Sequence, residues 1–134
     1  MKKYALVLML CVIGTGLASA ATLTIIVENV DTGKGPVLTG LYNSKEAFPK
    51  ENEYYTNART ESTGKTVTVT FSDLPPGTYV AAIYQDKNNN GVMDKNFLGI
   101  PSEKYGFSNN TMMPDWDKNS FVFNADMTVT IKLR

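Results

Sequence analysis

A chain of 134 residues with 13 basic and 13 acidic side chains suits one domain around one core and is too short for two. It has no histidine and a single cysteine, Cys11. Ser-His-Asp and Cys-His nucleophilic sites, His-based zinc centres and disulfides are therefore all excluded.

Residues 1–20 open with Lys2 and Lys3, run through an apolar stretch from Tyr4 to Ile13 and close on Ala18, Ser19 and Ala20. That layout is a cleaved secretion signal, so a periplasmic or secreted location is expected. The apolar stretch, interrupted by Gly14 and Gly16, falls short of the roughly 20 residues that a bilayer-spanning helix needs. No integral membrane segment is expected after cleavage. Cys11 follows Leu8, Met9 and Leu10 rather than small residues, which does not suit lipidation. Without Lys2 and Lys3, 11 basic residues face 13 acidic ones, a net charge of −2. No basic footprint is left for nucleic acid or an anionic membrane surface.

From residue 21 onward the apolar pattern has a period of two, as in strands with one dry face and one wet face. Leu23, Ile25 and Val27 alternate with Thr22, Thr24 and Ile26 in the first strand. Residues 37–42 form a second, entered through Gly35 and Pro36. One helical turn is expected over 44–48, stopped by Pro49. Residues 54–60 are a weaker strand. Residues 65–71 are a strong one, with Val67, Val69 and Phe71 set against Thr66, Thr68 and Thr70. Pro75, Pro76 and Gly77 make a tight turn that returns the chain antiparallel through 78–85. Two strands, 120–123 and 127–133, close the domain, the last with Val129, Ile131 and Leu133 facing inward. About seven short strands separated by turn signals predict an all-β fold, an Ig-like antiparallel β-sandwich spanning residues 21–134 with one long loop. A membrane barrel is disfavoured, since it needs at least about eight strands of near ten residues each.

The long loop runs from 86 to 119. Asp86, Asn88, Asn90 and Asp94 fall at relative positions one, three, five and nine, with Gly91 at six, the oxygen spacing of a calcium loop. Phe97 stands at position twelve, where an EF-hand places a bidentate Glu, so Glu103 is the nearest further carboxylate. Calcium bound there would be held weakly, in the range of about 10⁻⁴ to 10⁻³ M found in extracellular modules. The competing reading is a type I′ turn at Asn90 and Gly91 in which the Asn and Asp side chains cap backbone groups. Further on, Tyr105, Phe107 and Trp116 offer aromatic faces that could stack on a sugar or a peptide, or fold back over an end of the core. Asp94 and Glu103 could in principle form a hydrolytic carboxylate pair. Nothing in the sequence points to a cleft around them, so an enzyme is not expected.

The run from Leu74-Pro-Pro-Gly-Thr-Tyr79 through Asp86-Lys-Asn-Asn-Asn-Gly-Val-Met-Asp94 to Phe97-Leu-Gly-Ile-Pro-Ser-Glu-Lys-Tyr-Gly-Phe-Ser-Asn-Asn110 resembles the bacterial domain of unknown function family 2141. Gly40-Leu-Tyr-Asn43 and Pro114 resemble it too. The resemblance implies an exported protein with a transthyretin-like sandwich fold. The family loop carries over onto Asp86, Asn88, Asn90, Gly91, Asp94, Gly99, Pro101, Glu103, Gly106 and Ser108. The family pattern usually has His immediately before the first Asp, where this chain has Gln85. Taken together, these features predict an exported non-enzymatic binding or structural module with a cell-envelope or carbohydrate partner. The alternative is a small carbohydrate-binding or carbohydrate-active protein that uses the loop aromatics.

Overall fold

A computed structural model describes residues 20–93 and 102–134, so the expected secretion signal over residues 1–20 lies almost wholly outside the described residues. Eight strands follow in order: β1 (Ala21–Glu28), β2 (Val37–Tyr42), β3 (Thr56–Thr60), β4 (Val67–Leu74), β5 (Gly77–Gln85), β6 (Tyr105–Phe107), β7 (Phe121–Phe123) and β8 (Met127–Lys132). A 3-10 turn at Ser108–Asn110 and one short helix, α1 (Trp116–Asn119), lie between β6 and β7. The expected helical turn after β2 is present as a single hydrogen-bonded turn, with the Phe48 N–H donating to the Ser44 carbonyl at 3.2 Å.

One sheet has the order β4-β1-β8, and the other has β3-β2-β5-β6 with β7 paired to the beginning of β5. All pairings are antiparallel except β1 with β8, which run parallel. The sandwich is therefore mixed at this one seam.

The alternation read from the sequence sorts side chains as expected. Leu23, Ile25 and Val27 of β1 are fully buried and meet Val37 and Leu41 of β2 and Ala81 and Ile83 of β5 in one cluster between the sheets. Burying each such side chain contributes roughly 1.5–3 kcal/mol, which makes this layer the main source of stability. Thr39 sits between Val37 and Leu41 on the inner face, and its buried hydroxyl has no hydrogen-bond partner.

Two strands break the simple dry-face, wet-face rule. On β2 and β5 the outward residues are apolar as well: Tyr42 and Val80 join Phe48 in a second cluster, flanked by Tyr54, Ala82, Phe107 and Trp116. The five-stranded sheet thus has apolar side chains on both faces, and the outer face carries the feature described next.

Candidate functional site

Register alone sets out the outer face of the five-stranded sheet. Opposite residues on neighbouring strands share a face, so two rows cross β3, β2, β5 and β6. The first row is Asn57, Gly40, Ala82 and Phe107, and the second is Arg59, Leu38, Tyr84 and Tyr105. In the first row the two central residues are the smallest available, and larger side chains stand on either side. A Cβ on Gly40 would meet the rings of Tyr42 and Tyr54 at 3.4 Å, so glycine here leaves room in the floor that any other residue would take.

The result is a groove of about 490 Å³ whose lining includes both rows. Clefts that receive small molecules usually fall between about 300 and 1,000 Å³.

The second row supports the walls. The Tyr84 hydroxyl donates to the Gly91 carbonyl at 2.9 Å, and the Tyr105 hydroxyl donates to the Met112 carbonyl at 3.0 Å. Arg59 Nη1 donates to Asn89 Oδ1 at 2.9 Å. Three side chains of one cross-strand row therefore each hold a different point of the loops above the groove. Burial, followed by the nearby Asp86 carboxylate, raises the Tyr84 pKa well above its ordinary value, so the hydroxyl stays a proton donor to Gly91.

The loop after β5 is ordered from within. Asp86 is fully buried. Its carboxylate accepts from the Asn90 N–H at 3.2 Å and the Gly91 N–H at 2.7 Å. Asn88 Oδ1 also accepts from the Asn90 N–H, and Asn90 Oδ1 accepts from the Val92 N–H. Glu103 Oε2 accepts from the Lys87 N–H at 2.7 Å, which brings Glu103 beside the same loop. Asp94, the remaining proposed metal ligand, lies outside the described residues. Among the described residues, no group of three or more Asp, Glu, His or Cys is placed to hold a metal ion.

The expected type I′ turn does not form. Positive φ falls on Asn89 (57°) and Gly91 (82°) rather than on Asn90 and Gly91. The reason is that the Asp86 carboxylate draws the amides of Asn90 and Gly91 back over itself, an Asx-type wrap and not a two-residue hairpin.

Gln85 is the hub beneath this loop. Its fully buried side chain accepts from the Asp31 N–H at 2.9 Å and donates to the carbonyls of Asp31 at 2.7 Å and Gly35 at 3.0 Å. The β1–β2 connection is thereby tied to the end of β5. Gly35, with φ of +107°, lies so close to the Asp86 carbonyl that a Cβ there would collide with backbone. Asp31 in turn forms ion pairs with Lys87 at 2.7 Å and Lys104 at 2.9 Å. These two ammonium groups, Lys87 first, lower the Asp31 pKa to about 2.

Of the three aromatics singled out from the sequence, two belong to the groove. Tyr105 and Phe107 both line it, with ring centroids 5.7 Å apart. Trp116 is not among the lining residues. It packs on Phe48 at 6.4 Å and supports the cluster behind Phe107, as a core-covering aromatic would. Sequence reasoning missed Gly40, Ala82, Tyr54, Arg59 and the methionines at 93, 112 and 113. One signal was available: apolar residues on both alternations of β2 (Val37, Leu38, Leu41, Tyr42) and of β5 (Val80 through Tyr84) say that neither face of those strands is simply wet.

A model of the bacterial domain of unknown function family 2141, described as an uncharacterized protein conserved in bacteria, matches residues 25–132. No curated protein and no solved structure matches the chain.

Proposed function

We propose that this chain, which belongs to the bacterial domain of unknown function family 2141, is an exported, non-enzymatic binding module whose outer-face groove receives an apolar or aromatic guest. The observation that carries this reading is that the polar side chains of the two cross-strand rows, and Tyr42 beside them, are already engaged. The hydroxyls of Tyr84, Tyr105 and Tyr42 donate to backbone carbonyls, Asn57 donates to the Tyr54 hydroxyl, and Arg59 holds Asn89 and Glu61. A polyhydroxylated sugar binds by exchanging water for such groups, and breaking internal pairs to do so costs free energy. The ring faces of Tyr105 and Phe107 and the side chains of Leu38 and Ala82 need no such exchange, and covering them removes apolar surface from water. Export rests on the layout of residues 1–20, and a non-enzymatic role on the lack of His and of any Cys after Cys11.

The test uses 8-anilinonaphthalene-1-sulfonate as an apolar probe. Wild-type protein is expected to bind one equivalent with enhanced dye fluorescence. Ala82→Phe, which fills the floor, is expected to weaken binding at least tenfold at an unchanged far-UV circular dichroism spectrum. Equal binding by both proteins would sink the groove reading. A panel of oligosaccharides that shifts the ring resonances of Tyr105 and Phe107, when the dye does not, would transfer the groove to carbohydrate.

Calcium on the same loop is a second reading, favoured by the approach of Glu103 to Lys87 beside the buried Asp86. A cation that binds only the folded form raises its melting temperature. Millimolar calcium should then stabilise chelator-treated wild type but not Asp86→Asn.

A further inference from the structure

We infer that the mouth of the groove carries a thioether site for a soft monovalent cation, copper(I) or silver(I), built from Met93, Met112 and Met113. This goes beyond the guest-binding reading and does not depend on it. From residue 21 onward the chain has no His and no Cys, so its only soft donors are the thioethers of Met93, Met112, Met113 and Met127. Three of these four line the same groove. Thioether sulfur selects copper(I) among biological metals and has little affinity for hard cations such as calcium or magnesium.

Two loops place these methionines on the rim of one groove, and each is tied to the sheet by a tyrosine. Tyr84 and Tyr105 are direct cross-strand partners on β5 and β6, a spacing of about 5 Å. Their hydroxyls reach up to the Gly91 and Met112 carbonyls respectively. Two neighbouring pillars of the same length thus hold the Gly91 carbonyl, two residues before Met93, and the Met112 carbonyl.

The second loop is also held from behind. The Thr111 hydroxyl donates to the Met113 carbonyl and accepts from the side-chain amide of Asn119. Asn119 is fully buried and donates to the Ser108 carbonyl, and the Ser108 hydroxyl accepts from the Ala81 N–H of β5. The carbonyls of both Met112 and Met113 are therefore anchored to the sheet, while their side chains remain 57% and 72% exposed. Two adjacent large apolar residues are thus left largely open to solvent on anchored backbone. Their anchored backbones lower the entropy that a cation would otherwise have to offset in gathering its ligands.

Methionines also line adaptable apolar rims, and leucine separates the two roles because it keeps volume and apolarity but has no sulfur donor. The experiment titrates purified protein, labelled with ¹³C at the methionine ε-methyls, with silver(I) as a redox-inert probe. A parallel competition uses copper(I) and bicinchoninate under anaerobic conditions. The expected result is that the Met93, Met112 and Met113 methyls move together and saturate at one equivalent, with Met127 unmoved. Met112→Leu/Met113→Leu should weaken copper(I) binding at least tenfold at an unchanged melting temperature and far-UV circular dichroism spectrum. The inference is overturned if those three methyls stay in place, if Met127 moves as far as they do, if zinc(II) produces the same shifts, or if the leucine variant binds copper(I) unchanged.

Discussion

The two faces of β2 and β5 are made of alternate residues of the same strands, yet they do different work. Inward, Val37, Leu41, Ala81 and Ile83 are buried at 2% exposure or less against the second sheet. Outward, Leu38, Gly40, Ala82 and Tyr84 remain half-buried in a groove that no second layer covers among the described residues. The inner face is packed to completion, and the outer face is packed only at its edges, by Phe48, Phe107 and Trp116 on one side and by hydrogen-bonded loops on the other. Closed core and open groove are thus divided residue by residue through a period of two.

The largest expected effect tests that division directly. Leu41→Ala on the inner face should cost about 2–5 kcal/mol in urea unfolding, as large-to-small changes in closed cores do. Leu38→Ala, one strand position away from Thr39 on the outer face, should cost less than half as much. Equal losses would mean that the groove is core.

Next comes Asp86, which connects the sheet to the rim. Asp86→Ala leaves the amides of Asn90 and Gly91 without their acceptor, and a loss of about 1–3 kcal/mol is expected for such partly buried donors. Amide hydrogen exchange at Asn90 and Gly91 should accelerate in this variant while exchange in β1 keeps its wild-type rate relative to global unfolding. Acceleration confined to β1 would place the carboxylate's role elsewhere.

A smaller change of opposite sign is expected at Thr39. Its hydroxyl is buried without a partner, so Thr39→Val, which replaces it with a methyl of similar size, should stabilise the protein by about 1 kcal/mol. Destabilisation would show that the hydroxyl has a use the inner face does not reveal.

The smallest effect belongs to Asp31, which is partly exposed and flanked by Lys87 and Lys104. Its carboxyl is held at about 2, below its ordinary 3.8. A carboxyl with a lowered folded-state pKa adds stability above its unfolded value and loses it as the pH falls through the folded one. The stability difference between wild type and Asp31→Asn should therefore be constant above about pH 4 and disappear toward pH 2. A difference that grows on acidification would contradict the ion-pair assignment.

Much of the inner face was legible in the sequence because burial on one side of a strand leaves a period of two. Leu23, Ile25 and Val27, or Val67 and Val69, announce themselves without any knowledge of their partners. β6 was not legible: three residues are too few to show alternation, and its central Gly106 gives no apolar signal. The groove was hidden for a different reason. Gly40 and Ala82 are neighbours only through the β2–β5 register, and the arrangement of small residues between large ones exists across strands, not along them. Tyr105 and Phe107 could be found by type, since exposed aromatics in a loop invite attention. Trp116 could not be told apart from them until the fold showed which rings look outward and which support the others. At the Asp86 loop the sequence marks Asp86, Asn88 and Asn90 as oxygen donors, but their partners among the described residues could not be read from it, since they depend on where the amides of Asn90, Gly91 and Val92 point.

The parallel seam between β1 and β8 has a mechanical consequence. Six residue pairs, from Leu23 with Met127 to Glu28 with Lys132, stand in register along it. Because both strands run the same way, a pull between the start of β1 and the finish of β8 lies along the strands and strains all the rungs together, whereas an antiparallel pair gripped at adjacent ends peels open one rung at a time. A pull along that axis therefore loads the six pairs in shear.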